Sequence, residues 1–161
     1  MNNNTSSKGF INEKEYKKII NIMPVFCIDF LIRKDEYFLL LKRLEEPLKG
    51  EFWLPGGRLR IYESIEEASK RILSQEIGKY FPDINLLGFS NYRFKKDLSS
   101  RALHTPTLLF EIVMENHFNP IIDGFHSEYK WSKKLPPLFI KNMNIFDSNK
   151  GIFKKDLIDL L

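Results

Sequence analysis

The chain is poor in the features that would place it outside the ordinary globular class. It has a single cysteine, Cys27, so a disulfide framework is excluded. Cys27 lies inside an apolar run, where a buried core thiol is the expectation. No run of 18 consecutive apolar residues occurs, so no membrane span is expected. The polar, Asn/Ser-rich start, residues 1–9, lacks the apolar core of a signal peptide and reads as a flexible tail. A cytoplasmic location follows as the expectation. The excess of positive charge is small, +4, and dispersed, which argues against nucleic acid as a partner. It does suit a site for a small anion. Repeats and low-complexity segments are absent beyond the tail.

What is present is core-forming material. Of 161 residues, 43% are hydrophobic and 14 are phenylalanine, enough for one folded domain over residues 10–161. Glu13 to Ile22 carries Tyr16, Ile19 and Ile20 at helical spacing, and Pro24 closes that helix. Val25 to Ile32 reads as a buried strand and Tyr37 to Leu41 as its hairpin partner, across the charged turn 33–36. Phe52 to Leu54 is a short strand entering Pro55-Gly56-Gly57. A helix is expected from about Ser64 to Ile77. Ser64 and Glu67 form a capping-box pair at its start, and Gly78 marks its end. Further strands are expected near 85–94, 107–115 and 128–131, with a helix ending the chain over 156–161. Helices and strands alternate without a regular βαβ rhythm, which favours an α/β sandwich over a doubly wound sheet.

Ile65, Ala68, Ile72 and Glu76 share one face of the 64–77 helix at 100° per residue. Glu76 therefore extends an apolar stripe, where a carboxylate is costly unless paired or bound to a metal. The other reading is a solvated charge at a fraying helix end. Diphosphates recruit Mg²⁺ through one or two carboxylates plus phosphate oxygens. Gly56 and Gly57 permit unusual backbone angles that would let a carbonyl face such an ion.

The segment 57–78 resembles the Nudix box. That pattern is Gly, five residues, Glu, seven residues, then Arg-Glu-apolar-x-Glu-Glu-x-Gly. Gly57, Glu63, Arg71, Leu73, Glu76 and Gly78 match at the required spacing, and Trp53-Leu54-Pro55-Gly56-Gly57 resembles the family's entry into the box. The resemblance implies a Nudix-type α/β/α sandwich with a mixed central sheet, a divalent cation (Mg²⁺, with Mn²⁺ as substitute) and a nucleoside diphosphate substrate. Glu63 would hold the helix entrance, with Arg71 as its structural support.

Two acids of the pattern are replaced, by Ile72 and Gln75. Catalysis at phosphorus by several cations needs those carboxylates. Either catalysis has been lost, or the chemistry needs one metal. The same losses occur in the GDP-mannose mannosyl hydrolase branch. This chain resembles that branch at Pro24, Asp29-Phe30, Lys42-Arg43, 53–58 and 126–131. In that branch water attacks the anomeric carbon and GDP leaves. Position by position, the resemblance implies that Glu76 and the Gly56 backbone bind the metal. Arg43 and Arg58 would hold the departing diphosphate, and His126 would be the general base. Asp29 would lie near the sugar or nucleotide, and Tyr16 near the base. It also implies a homodimer with a nucleotide-sugar substrate. One departure is Phe125, where the branch has a metal-binding glutamine. His104 is a reserve candidate base. The competing readings are a pyrophosphohydrolase attacking phosphorus of another nucleoside diphosphate derivative, and a non-catalytic nucleotide-sugar-binding protein.

Overall fold

The computed structural model describes residues 11–94, 103–147 and 151–153. The tail over 1–9 and the helix expected over 156–161 lie outside the described residues. In chain order the elements are α1 (Glu13–Ile22), β1 (Cys27–Lys34), β2 (Tyr37–Arg43), β3 (Phe52–Trp53), β4 (Gly56–Arg58), α2 (Ile65–Ile77), β5 (Asn85–Phe94), β6 (Leu103–Val113), β7 (His126–Ser132), α3 (Pro137–Asn142), β8 (Met143–Asp147) and β9 (Gly151–Phe153).

The strands form one mixed sheet in the order β3-β2-β1-β6-β5-β8-β9, with β4 paired to β1 and β7 to β2. β1 and β6 run parallel; the other pairings are antiparallel. Alternation along β1 sorts its side chains to two faces. Ile28, Phe30 and Ile32 pack with Ala68, Ile72, Leu73 and Ile77 of α2. Leu31 points the other way, into a second core with Ile20 of α1, Trp53, Tyr92 and Phe139 of α3. The result is helices on both faces of a mixed sheet, the α/β sandwich expected from the sequence.

Local chemistry explains the element ends. Asn12 caps α1, its side chain accepting from the amide of Glu15. At α2 both halves of the capping box form: Ser64 Oγ accepts from Glu67 N, and the Glu67 carboxylate accepts from Ser64 N. Gly78 ends the helix at φ 70°, in the left-handed region that glycine enters at least cost. The β1–β2 turn is tighter than its run of charges implies. β1 continues through Lys34, and only Asp35 and Glu36 turn, with Asp35 at φ 52°. β4, α3, β8 and β9 were not expected. Each is at most six residues long, too short for a periodic pattern to register.

Candidate functional site

The site lies where β1, β2, β4, the C-terminal end of α2 and the start of β7 meet. Gly56 faces Asp29 in the β4–β1 register. Its amide donates to Glu76 Oε2 at 2.8 Å, tying the last turn of α2 to the glycine strand. Burial is the main reason the Glu76 carboxyl is pushed up to about 8; the Gly56 amide and Arg43 oppose this, and Asp123 and Asp29 add to it. Asp29 is buried in the middle of β1. Its partner is the Trp53 side chain, whose hydrogen bond, with Arg43, opposes the burial that pushes it up to about 7.

Arg43 is the cation these groups share. Its Nε donates to the Pro47 carbonyl at 2.7 Å, so the 44–50 loop fixes the guanidinium. The β2–β7 register shifts between Leu41 and Arg43, and the shift sets Arg43 opposite His126. Such irregularities re-aim side chains. His126 is therefore the first residue of β7, not the loop residue its Gly124 and Ser127 neighbours imply. The ring is buried, and its Nδ1 lies 2.8 Å from Asp123 Oδ1. Burial lowers its proton affinity below the ordinary histidine value; Asp123 opposes this and Arg43 reinforces it.

Arg58, beside Cys27 across the β4–β1 register, has its guanidinium 5.8 Å from the centre of the Tyr16 ring. Tyr16 thus brings α1 to the site. Cys27 is only partly buried rather than sealed in the core, and desolvation pushes its thiol up to about 12. Glu63 and Arg71 pair through two parallel bonds of 2.6 and 2.7 Å. Arg71 also donates to the Arg58 carbonyl, and Glu63 accepts from the Arg60 amide. This fork ties the loop before α2 to the helix. Glu63 is held below its ordinary value, first by the Arg71 hydrogen bond.

The structure thus gathers Asp29, Arg43, Gly56, Glu76 and His126 through direct bonds, strand register and mutual charge. The reserve candidate base, His104, lies elsewhere, and neither His117 nor Phe125 joins the cluster. His104 Nε2 sits 2.6 Å from Asn91 Oδ1, on β6 and β5. His117 packs edge-on against Trp131. Phe125 is 65% exposed. Sequence spacing alone does not pick out Asp123. Its signal is an acid three residues before a histidine, common in surface turns and informative only once the ring is known to be buried.

A cation fits this donor set in one way. Among the described residues, no group of three or more His, Cys, Asp or Glu side chains converges to hold a metal unaided. The carboxylates of Asp123 and Asp29 nevertheless both act on Glu76, against the guanidinium of Arg43. Gly56 engages only one of the two Glu76 oxygens. This suits Mg²⁺, which keeps several waters and is commonly completed by substrate phosphates rather than by a protein cage.

A model of the Nudix domain matches residues 23–134. The chain belongs to the Nudix domain family. It is 39% identical over 83 residues to an ADP-ribose pyrophosphatase of Methanocaldococcus jannaschii, an alignment covering 51% of this chain and 49% of that protein. This chain therefore spans about half the length of that relative. It is 28% identical over 122 residues to the low-salt glycan biosynthesis protein Agl8 of Haloferax volcanii, covering 74% and 78% of the two chains. Among solved structures, a MutT protein from Methanosarcina mazei superposes with a TM-score of 0.59 at 23% identity, over 73% of this chain and 89% of that one. The Nudix domain of Shewanella oneidensis NrtR, solved with ADP ribose, gives 0.55 at 22% identity over 75% and 82%. These structures establish the shared fold.

Described helices include none long and apolar enough to cross a membrane.

Proposed function

We propose that this Nudix domain hydrolyses a nucleoside diphosphate sugar of the GDP-mannose type, with water attacking the anomeric carbon and the nucleoside diphosphate leaving. The observation that supports this most is that Glu76 is the one acid left of the three at the C-terminal end of the box. Glu76 meets Gly56 and the Arg43 charge. Ile72, at one lost acidic position, is sealed in the core at 2% exposure, and Gln75, at the other, is exposed. Attack at phosphorus by paired cations needs ligands for both. Attack at carbon needs only a stabilised leaving group and a base.

Glu76 and the Gly56 carbonyl would hold Mg²⁺, or Mn²⁺ in its place. The bound ion would neutralise charge on the diphosphate. Arg43 and Arg58 stabilise the leaving diphosphate, whose negative charge grows as the carbon–oxygen bond breaks. His126, kept neutral by burial, accepts a proton from the attacking water. The new bond joins water oxygen to carbon, the broken bond joins carbon to phosphate oxygen, and the proton passes through His126 to solvent. Asp29 lies toward the sugar or nucleotide, and Tyr16 toward the base.

A second reading, attack at phosphorus, is favoured by the name of the Methanocaldococcus relative, an ADP-ribose pyrophosphatase. Turnover of GDP-mannose and ADP-ribose in ¹⁸O-labelled water separates the two. Label on the free hexose, with unlabelled GDP, is expected. Label on phosphate from either substrate would overturn carbon attack. Tight binding without turnover would favour a nucleotide-sugar-binding protein.

A further inference from the structure

His126 begins a strand, and two bonds in the turn before it converge on one side-chain oxygen. Asp123 Oδ1 accepts from the Phe125 amide at 3.0 Å and meets His126 Nδ1 at 2.8 Å. The Asp123 carbonyl also accepts from the His126 amide at 3.4 Å. Of the two residues between, Phe125 is tied through its backbone, its carbonyl accepting from the Leu44 amide at 2.9 Å, and neither side chain anchors the turn. A side-chain carbon at Gly124 would touch nothing within 4 Å, and Phe125 is 65% exposed. The turn is thus organised by the aspartate, in the manner of Asx turns, and not by packing of its tip.

We propose that Asp123 is the positioning residue of the base: its carboxylate holds the His126 ring in the tautomer with the proton on Nδ1, leaving Nε2 as the basic nitrogen. The reason is donor arithmetic. An ionised carboxylate only accepts, so the ring nitrogen facing it must donate. The neutral imidazole has one proton, and with that proton on Nδ1 the lone pair is on Nε2. Among the described residues, no other hydrogen bond to the buried ring selects between its tautomers. Asp123 also sets the strength of the base. Burial and the Arg43 guanidinium on β2 both favour the neutral ring, and Asp123 is the charge that opposes them. Its field reaches Glu76 on α2 as well. The carboxylate therefore keeps the ring basic enough to take a proton while its hydrogen bond fixes which nitrogen takes it.

This inference rests on His126 being the base, and its test is built to fail separately from that reading. The full chain is labelled with ¹⁵N at histidine, and the His126 ring nitrogens are followed by NMR across pH with Mg²⁺ present. Wild type, Asp123→Ala, Asp123→Asn and Gly124→Ala are compared, with kcat/KM for GDP-mannose measured over the same pH range. In wild type the neutral ring carries its proton on Nδ1. In Asp123→Ala the tautomers mix, the ring titrates at lower pH, and the acidic limb of kcat/KM moves with it. The plateau falls by about 10²-fold, the lower end of what a placed general base contributes. Asp123→Asn retains an acceptor oxygen and recovers part of both signals. Gly124→Ala, whose new carbon meets nothing, changes neither. An unchanged tautomer in both aspartate variants overturns the proposal. So does a defect that appears only as a higher Mg²⁺ requirement, which would make Asp123 a metal ligand instead. The tautomer change can be seen even if no nucleotide sugar is turned over. In that case the substrate reading fails while the Asp123–His126 relationship stands.

Discussion

Gly56 packs so closely on Asp29 that a side-chain carbon on the glycine would overlap Asp29 Oδ1. It would also lie 2.7 Å from the Ile28 carbonyl, which cannot swing aside as a side-chain tip can. The glycine is required by close approach of two strands. Gly56→Ala should push β4 from β1, costing about 1–3 kcal/mol as overpacking does. The same displacement moves the amide that holds Glu76. A lowered melting temperature together with weakened Mg²⁺ stimulation is expected in thermal unfolding and metal titration. Gly124→Ala should leave the melting temperature in place.

Glu76 makes a prediction about pH. Its folded-state value, about 8, lies above the ordinary 4.5. A raised carboxyl contributes stability that is fully present below 4.5 and lost as pH rises through about 8. Asp29, pushed up to about 7 from 3.8, contributes with the same sign. Metal-free protein should therefore lose melting temperature between pH 5 and pH 8. Mg²⁺ binds the ionised carboxylate, so the stabilisation it brings should be larger at pH 8 than at pH 6. Glu76→Gln should remove part of the pH dependence, the Asp29 part remaining. It should also abolish the response to Mg²⁺. Retention of full Mg²⁺-stimulated turnover by this variant would exclude Glu76 as the metal carboxylate.

Arg71 and Glu63 should behave as a structural pair. The fork of two short bonds, with a third bond from Arg71 to the Arg58 carbonyl, matches a planar guanidinium and no lysine. Arg71→Lys should cost roughly 1–3 kcal/mol by leaving partly buried acceptors short of donors. Glu63 is held below its ordinary value, so its contribution is present above the usual carboxylate range and lost as pH falls through the depressed one. Denaturant unfolding of wild type and variant should therefore converge in acid and separate near neutrality.

These features differ in how far spacing alone reveals them. α1 and β5 occupy the residues their patterns mark, because helix caps and alternation act locally. The α2 cap is legible for the same reason: both halves lie within four residues. The Glu76 position is legible because one polar residue interrupts an otherwise apolar helical face. The place of His126 in a strand is not, because that strand is created by pairing with residues around Arg43 some eighty positions earlier. The Asp29–Trp53 bond and the Asp123–His126 bond are likewise side-chain meetings. A buried aspartate announces that it needs a partner, but the sequence does not say which.

Arg43 should act on the rate rather than on binding. Its Nε is committed to the Pro47 carbonyl, so the orientation of the guanidinium is set by the protein before any ligand arrives. A donor fixed in this way stabilises charge that appears in the transition state without reorganisation. In carbon attack that charge develops on the leaving diphosphate. Arg43→Ala should therefore lower kcat by about 10²-fold, the scale of losing one preorganised donor. Arg43→Lys should recover little, since a lysine lacks the fork that meets both the carbonyl and a phosphate. A rise confined to KM would instead mean equal binding of ground and transition states. The pH profile supplies an independent sign. Arg43 lowers the proton affinity of His126, so its removal should move the acidic limb of kcat/KM to higher pH. Removal of Asp123 should move the same limb to lower pH. Opposite displacements by two variants of one buried ring would tie both charges to a single titrating base; a limb that ignores both would exclude His126 from that role.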